Sequence, residues 1–392
     1  MMLNRSWYRL GGLAALQGAI SLTWLIYNVY LSKLLVSFGF APELAVFLLM
    51  IENALAAILE PLLGGLSDRA YRWIATKFGF VSLGVILASA LFILIPTVVA
   101  FRNVFDAVRW ILPGLLVAWA MAMTIFRSPA ISLIGRYAFA SELPIAMSFL
   151  TLTGGIVGAI RPVARNFLLS LGAPLTFTIG SVVLLAATGL LRYFDPPTPT
   201  NGEVRDRQPM LIVNYGLVIG TGLGIAWGTR CLMETIPKTI KISLPQIDPS
   251  VAMVFISLAI AISAIPGGVL ASKVGNQRAM LSGIITTLSA LLLMVFVPIN
   301  IATAIALLLV ILGFNLVVNG AIPFALEQFP PNRSGLAVGL YFGAFSGGIS
   351  VFSSMFNAAN PLTPLLGAIV GGNALLLAGC CVWWSLAKAD RL

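Results

Sequence analysis

The 392-residue chain contains no histidine, and charged residues make up only 9% of it. Without an imidazole, a histidine proton relay, a histidine-ligated haem and a His-containing metal site are excluded within the chain. Any proton handling falls to carboxylates. The three cysteines, Cys231, Cys380 and Cys381, show no ligand spacing, and an adjacent pair is a poor disulfide candidate. They read as small helix residues. Walker-type phosphate sequences, a nucleophile with its base and a metal constellation are also missing, so neither catalysis nor ATP-driven transport by this chain alone is expected. No cofactor and no metal are implied.

What the chain has is apolar length. Hydrophobic residues make up 59% of it and charged residues 9%, where a soluble domain carries about 25% charge. With about 20 apolar residues per span, an all-α polytopic membrane protein with 12 transmembrane helices is expected. Apolar runs place them near 10–37, 43–65, 78–98, 109–133, 144–168, 174–193, 210–232, 250–271, 278–298, 301–325, 335–357 and 364–386. The one extended polar, proline-rich stretch is Asp195 to Pro209, at the midpoint. It divides the chain into an N-terminal six-helix bundle (1–194), a linker (195–209) and a C-terminal six-helix bundle (210–392). The net charge of +10 is scattered through short loops, which speaks against nucleic acid. Nearly twice as many Lys and Arg residues fall on the side of the termini as on the other, which predicts cytoplasmic termini and a cytoplasmic linker. An uncleaved first helix, a plasma (inner) membrane and a monomer in the lipid bilayer are expected.

An internal repeat supports two related halves. Gly64-x-x-x-Asp68-Arg69 recurs as Gly268-x-x-x-Ser272-Lys273, each between the second and third helix of its half. Trp24 is matched by Trp227, Phe149-x-x-x-Thr153-Gly154-Gly155 by Phe342-x-x-x-Ser346-Gly347-Gly348, and Pro129 by Pro323. All four matches lie about half the chain apart. Parallel halves related by an axis along the membrane normal produce this pattern.

Over its whole length the sequence resembles the major facilitator superfamily of secondary transporters. Gly64, Asp68, Arg69 and Arg72 fit that family's loop between helices two and three, with Tyr71 where a glycine is usual. The second copy keeps Gly268, Lys273 and Gly275 and replaces the aspartate with Ser272. The resemblance implies that Asp68 and Arg69 latch the halves together in the outward-facing state. Glu60-Pro61-x-x-Gly64-x-x-x-Asp68 also resembles helix two of the glycoside-pentoside-hexuronide cation symporters and sucrose-type carriers. Their earlier acid is replaced by Ala56, and Arg127-Ser128-Pro129 stands where helix four carries an acid before its proline. An arginine beside the carboxylate opposes a sodium site.

Glu52 and Glu60 are the expected coupling carboxylates, because an ionised group inside a span costs about 2.5–3.5 kcal/mol on insertion scales. Glu60 and Arg127 sit at matching depth and are able to pair. Gln17, Ser21, Trp24 and Asn28 form a polar and aromatic stripe on helix one. With Trp119, Tyr215, Trp227, Asn315 and Asn319 they are the expected cavity residues, the resemblance placing helices one, four, seven and ten around a central cavity. Arg161, late in helix five, either snorkels or contacts an anion. The leading expectation is a secondary active transporter working by alternating access, coupled to protons or cations including Na⁺. Its small organic solute is best matched by a sugar or glycoside. The alternatives are efflux of amphiphilic compounds and a non-transporting membrane assembly or sensor protein of the same fold.

Overall fold

In lipid each backbone N–H and C=O must be satisfied within its own segment, so a chain of this composition folds as helices. The computed structural model describes residues 2–74, 77–100, 108–195, 211–297, 299–357 and 359–389, without the side chains of 2–6, 70–74, 77, 108 and 389. The first half contains α1 (Met2–Ser37), α2 (Glu43–Ile74), α3 (Lys77–Ala100), α4 (Val108–Ser132), α5 (Ile134–Tyr137), α6 (Leu143–Ala159), α7 (Arg161–Leu171) and α8 (Ala173–Phe194). The second contains α9 (Ile212–Ser243), α10 (Pro249–Ile262), α11 (Ala264–Val274), α12 (Asn276–Phe296), α13 (Asn300–Glu327), α14 (Ser334–Met355) and α15 (Pro364–Ala389). Among the described residues eleven segments are long and apolar enough to cross a membrane, and α10 with α11 makes a twelfth. The chain is an all-α polytopic membrane protein of two pseudo-symmetric six-helix bundles. Of the expected 195–209 linker, only Asp195 lies within the described residues.

Three expected spans change shape. Helix seven, expected to end near 232, runs on to Ser243 through Pro237. Thr235, Ile236, Thr239 and Ile240 are buried there as α9 packs along α15, and Lys238 Nζ donates to Leu362 O at 2.5 Å. Tertiary packing outweighs the proline's local preference. Helix five, expected as one piece over 144–168, breaks between Ala159 and Arg161, because Pro162 has no N–H to offer and its ring crowds the preceding turn. Helix eight bends by 41° between α10 and α11. Pro266, four residues past Ile262, crowds that residue's carbonyl in the same way.

Within the first half α1 packs on α6 and α8, α3 on α4 and α8, and α2 on α4. Its centre is aromatic: Trp119 stacks on Tyr27 at 4.5 Å and on Phe92 at 4.8 Å between ring centres. At the end that carries the termini, Asp195 is buried and ties three elements together. Arg9 Nε lies 3.3 Å from its Oδ1, and Tyr137 donates to Oδ2 at 2.8 Å. The halves meet along two seams, α2 against α14 and α6 against α10 and α11.

Candidate functional site

The α2–α14 seam is closest at Gly64 and Gly335, where a Cβ on either would meet the other's carbonyl oxygen at 2.2 or 2.5 Å. Only glycine permits this approach. One turn on, Asp68 faces the first residues of α14 and accepts hydrogen bonds from Gly335 N at 3.0 Å and Leu336 N at 2.8 Å. A carboxylate there satisfies N–H groups that have no partner inside the helix and faces the positive end of its dipole. Arg69 is exposed beside it, and the side chain of Arg72 lies outside the described residues. In the second half Gly268 approaches Pro144 O and Ser148 on α6. Ser272 Oγ is buried without a hydrogen-bond partner, Lys273 is exposed, and Gly275 takes φ 96° as the cap that ends α11.

Next to this seam lies a cavity of about 420 Å³. Gln17, Ser21, Trp24 and Asn28 line it from α1, with Glu52, Asn53 and Glu60 from α2, Thr124 and Arg127 from α4, Arg161 from α7 and Ser346 from α14. Asn28 and Asn53 each spend their amide N–H on a carbonyl one turn back, Trp24 O and Leu49 O, both at 2.7 Å. Gln17 Oε1 is buried without a partner. The wall therefore offers amide and hydroxyl groups of both polarities to a solute.

Two carboxylates sit in this wall, Glu52 at 6% and Glu60 at 1% exposure. Tyr27 donates its hydroxyl to Glu52 Oε1, while Oε2 is left without a partner. Ser128 donates to Glu60 Oε2, and Arg127 Nη1 lies 3.6 Å from Oε1, an ion pair too long for a hydrogen bond. The guanidinium also lies 4.0 Å from the ring centre of Phe342 on α14. It thus joins a buried acid of one half to an aromatic face of the other.

The other expected cavity residues are elsewhere. Trp119 is fully buried in the aromatic centre, behind Trp24 of the cavity wall, 5.0 Å away. Tyr215 packs on Phe329 near the terminal end. Trp227 donates to Gly348 O at 2.8 Å and stands edge-on to Phe352. Asn315 donates to Ile260 O at 3.0 Å and Ser263 Oγ at 2.6 Å, and Asn319 to Ala264 O at 2.8 Å. These two amides hold the bend between α10 and α11, satisfying backbone near a proline-disturbed turn. Tyr27 and Ser128 escaped the sequence reading because each looks like a packing residue. The one signal was that Ser128 adjoins Arg127, the residue matched in depth to Glu60.

Fold and site together define a class, a two-bundle membrane carrier with a charged polar cavity beside the seam between its halves. A family model for the Major Facilitator Superfamily matches residues 13–353. The chain belongs to that superfamily and is a membrane transporter of a small-molecule solute. Its fold is similar to the human organic anion transporter MFSD10 (TETRAN), with TM-score 0.69, 13% identity, and coverage of 96% of this chain and 99% of that one. It is also similar to a bacterial homologue of the iron transporter ferroportin in the outward-facing state, with TM-score 0.71, 15% identity and the same coverage. At these identities the likeness carries the fold alone. No curated protein sequence matches the chain.

Proposed function

We propose that this transporter moves a polar, hydroxyl-bearing organic solute by alternating access, with Glu52 and Glu60 taking up and releasing the coupling proton. The observation that carries this reading is the presence of both acids in one cavity wall, each met by a hydroxyl donor. Glu60 is further tied through Arg127 to the opposite half. Protonation of Glu60 removes the attraction that holds Arg127, and Arg127 is then free to leave Phe342 or meet the solute. The carboxylate changes charge and the seam between the halves responds.

The positive-inside count puts the termini in the cytoplasm, so the Asp68 cap closes the cytoplasmic end and the conformation is outward-facing. The amide and hydroxyl groups of the wall, Gln17, Ser21, Asn28, Asn53 and Thr124, support a sugar-like solute, and Trp24 beside them offers a face on which a sugar ring stacks. Arg127 beside Glu60 favours a proton over Na⁺. The test is uptake of a solute panel into proteoliposomes under imposed proton or sodium gradients, comparing native protein with Glu52→Gln and Glu60→Gln. Proton-driven accumulation lost in either variant is expected. Unchanged accumulation in both would sink the coupling assignment, and no transport of any solute would favour an assembly or sensor role.

A further inference from the structure

The break in helix five opens on the cavity. Gly158 and Arg161, on either side of the break, both line the cavity wall. In an unbroken helix the Gly158 carbonyl would accept from the N–H four residues on, but that residue is Pro162, which has none. Among the described residues no backbone N–H of α7 bonds the Gly158 oxygen. The Ile160 N–H, which bonds Ile156 O at 3.2 Å, is shared with it, and a carbonyl keeps a second lone pair for another donor. Backbone left open at membrane depth is tolerated where it lines a polar cavity.

The side chain that Gly158 lacks matters as well. A Cβ there would meet nothing within 4 Å, and its φ is not positive, so neither packing nor backbone conformation requires a glycine. Gly11, Gly114, Gly189 and Gly216 are equally open, but among the described residues Gly158 alone of these lines the cavity. One turn earlier on the same face, a Cβ on Gly154 would lie 3.1 Å from Ser21 Oγ and 3.2 Å from Gln17 Nε2. The face of α6 that carries both glycines therefore looks toward the polar stripe of α1, and at Gly158 no side chain stands in the way.

We propose that the break in helix five is a backbone subsite for the solute. The Gly158 carbonyl accepts a hydrogen bond from a solute hydroxyl, and the missing side chain leaves room for that hydroxyl to approach. The proposal deepens the transport reading and rests on it for the solute being hydroxyl-bearing cargo. It makes Gly158 and Pro162 determinants of specificity, one by its absent side chain and the other by its absent N–H.

The experiment follows thermal unfolding of the purified full-length protein in a neutral detergent during titration with glucose, sucrose or myo-inositol. At least one of them is expected to raise the midpoint of the native protein. Gly158→Ala should keep or raise the solute-free midpoint, because alanine is the better helix former. The concentration of that solute required should nevertheless rise by about tenfold, since the new methyl crowds it. Pro162 is exposed, and Pro162→Ala supplies the N–H that the Gly158 carbonyl lacks. It should keep the solute-free midpoint and raise the required concentration by about threefold to tenfold, as for one neutral hydrogen bond. Gly189→Ala, at an open glycine on α8 outside the cavity, should change nothing. An undiminished response in both Gly158→Ala and Pro162→Ala overturns the subsite and leaves the hydroxyl-bearing solute standing. An equal loss in Gly189→Ala also overturns it, as an effect common to helix glycines. No shift of the native protein with any of the three solutes overturns the sugar-like reading and the subsite with it. Should either variant fail to fold, labelling of Gly158→Cys by a charged methanethiosulfonate, read by mass spectrometry, replaces it. Slower labelling in the presence of the same solute is expected, and an unchanged rate overturns the proposal.

Discussion

The two seams between the halves descend from one repeated pattern, yet only one is clamped. At α2–α14, Gly64 lets the backbones touch and Asp68 caps the partner helix. At α11–α6, Gly268 makes the same close approach, but Ser272 stands in the place of the aspartate and its hydroxyl has no partner. The physical reason lies in the opposing helix. α14 opens with free N–H groups at Gly335 and Leu336, whereas α6 opens with Leu143 and Pro144 after Glu142. Pro144 has no N–H to give, and Glu142 would repel a carboxylate. A glycine contact brings helices close, and a charge facing a helix end makes that closeness depend on state.

The comparison is broken most severely at Arg127. Arg127→Gln leaves Glu60 buried without its counter-charge and removes the contact with Phe342, a loss of about 3 kcal/mol. Thermal unfolding should show it, and adding Glu60→Gln should recover most of it, since the double variant has no stranded charge. Recovery of nothing would mean that Arg127 acts through packing alone.

Gly64→Ala comes next, at about 2 kcal/mol, because the new Cβ meets backbone that cannot yield. Gly268→Ala should cost about half as much, because its new Cβ would lie 2.8 Å from Pro144 O, against 2.2 Å from Gly335 O at Gly64. Equal losses would erase the distinction between the seams. Asp68→Ala is expected to cost about 1–2 kcal/mol as a lost cap and to raise thiol labelling of cysteines placed along the α2–α14 seam by about tenfold. The smallest effect is Ser272→Ala, within about 0.5 kcal/mol, with labelling of the α11–α6 seam unchanged. A large opening there would show that the hydroxyl holds a partner during the transport cycle.

Much of the site was legible because charge is rare in this chain. Glu52, Glu60, Arg127 and Arg161 stand out against apolar surroundings, and all four line one cavity. Asp68 was legible through its spacing from Gly64. Asn315 and Asn319 misled for an instructive reason. An amide on a transmembrane helix serves a cavity or satisfies broken backbone equally well, and only the bend at Ser263 shows which carbonyls needed it. Trp119 and Trp227 were ambiguous in the same way, since an aromatic stripe does not reveal whether it faces solute or neighbouring helices.

The linear chain by itself determined the twelve spans, their division into related halves and the identity of the few groups able to carry charge through the membrane. Those follow from the cost of placing polar backbone and side chains in lipid, which acts on each segment separately. Tertiary structure alone decided which hydroxyl meets which acid, that Asp68 caps a helix while its counterpart Ser272 does not, and that the cavity is built almost wholly from the first half. These depend on how helices distant in sequence turn toward one another, and that is set by packing and backbone contact between segments whose local sequences carry no record of each other.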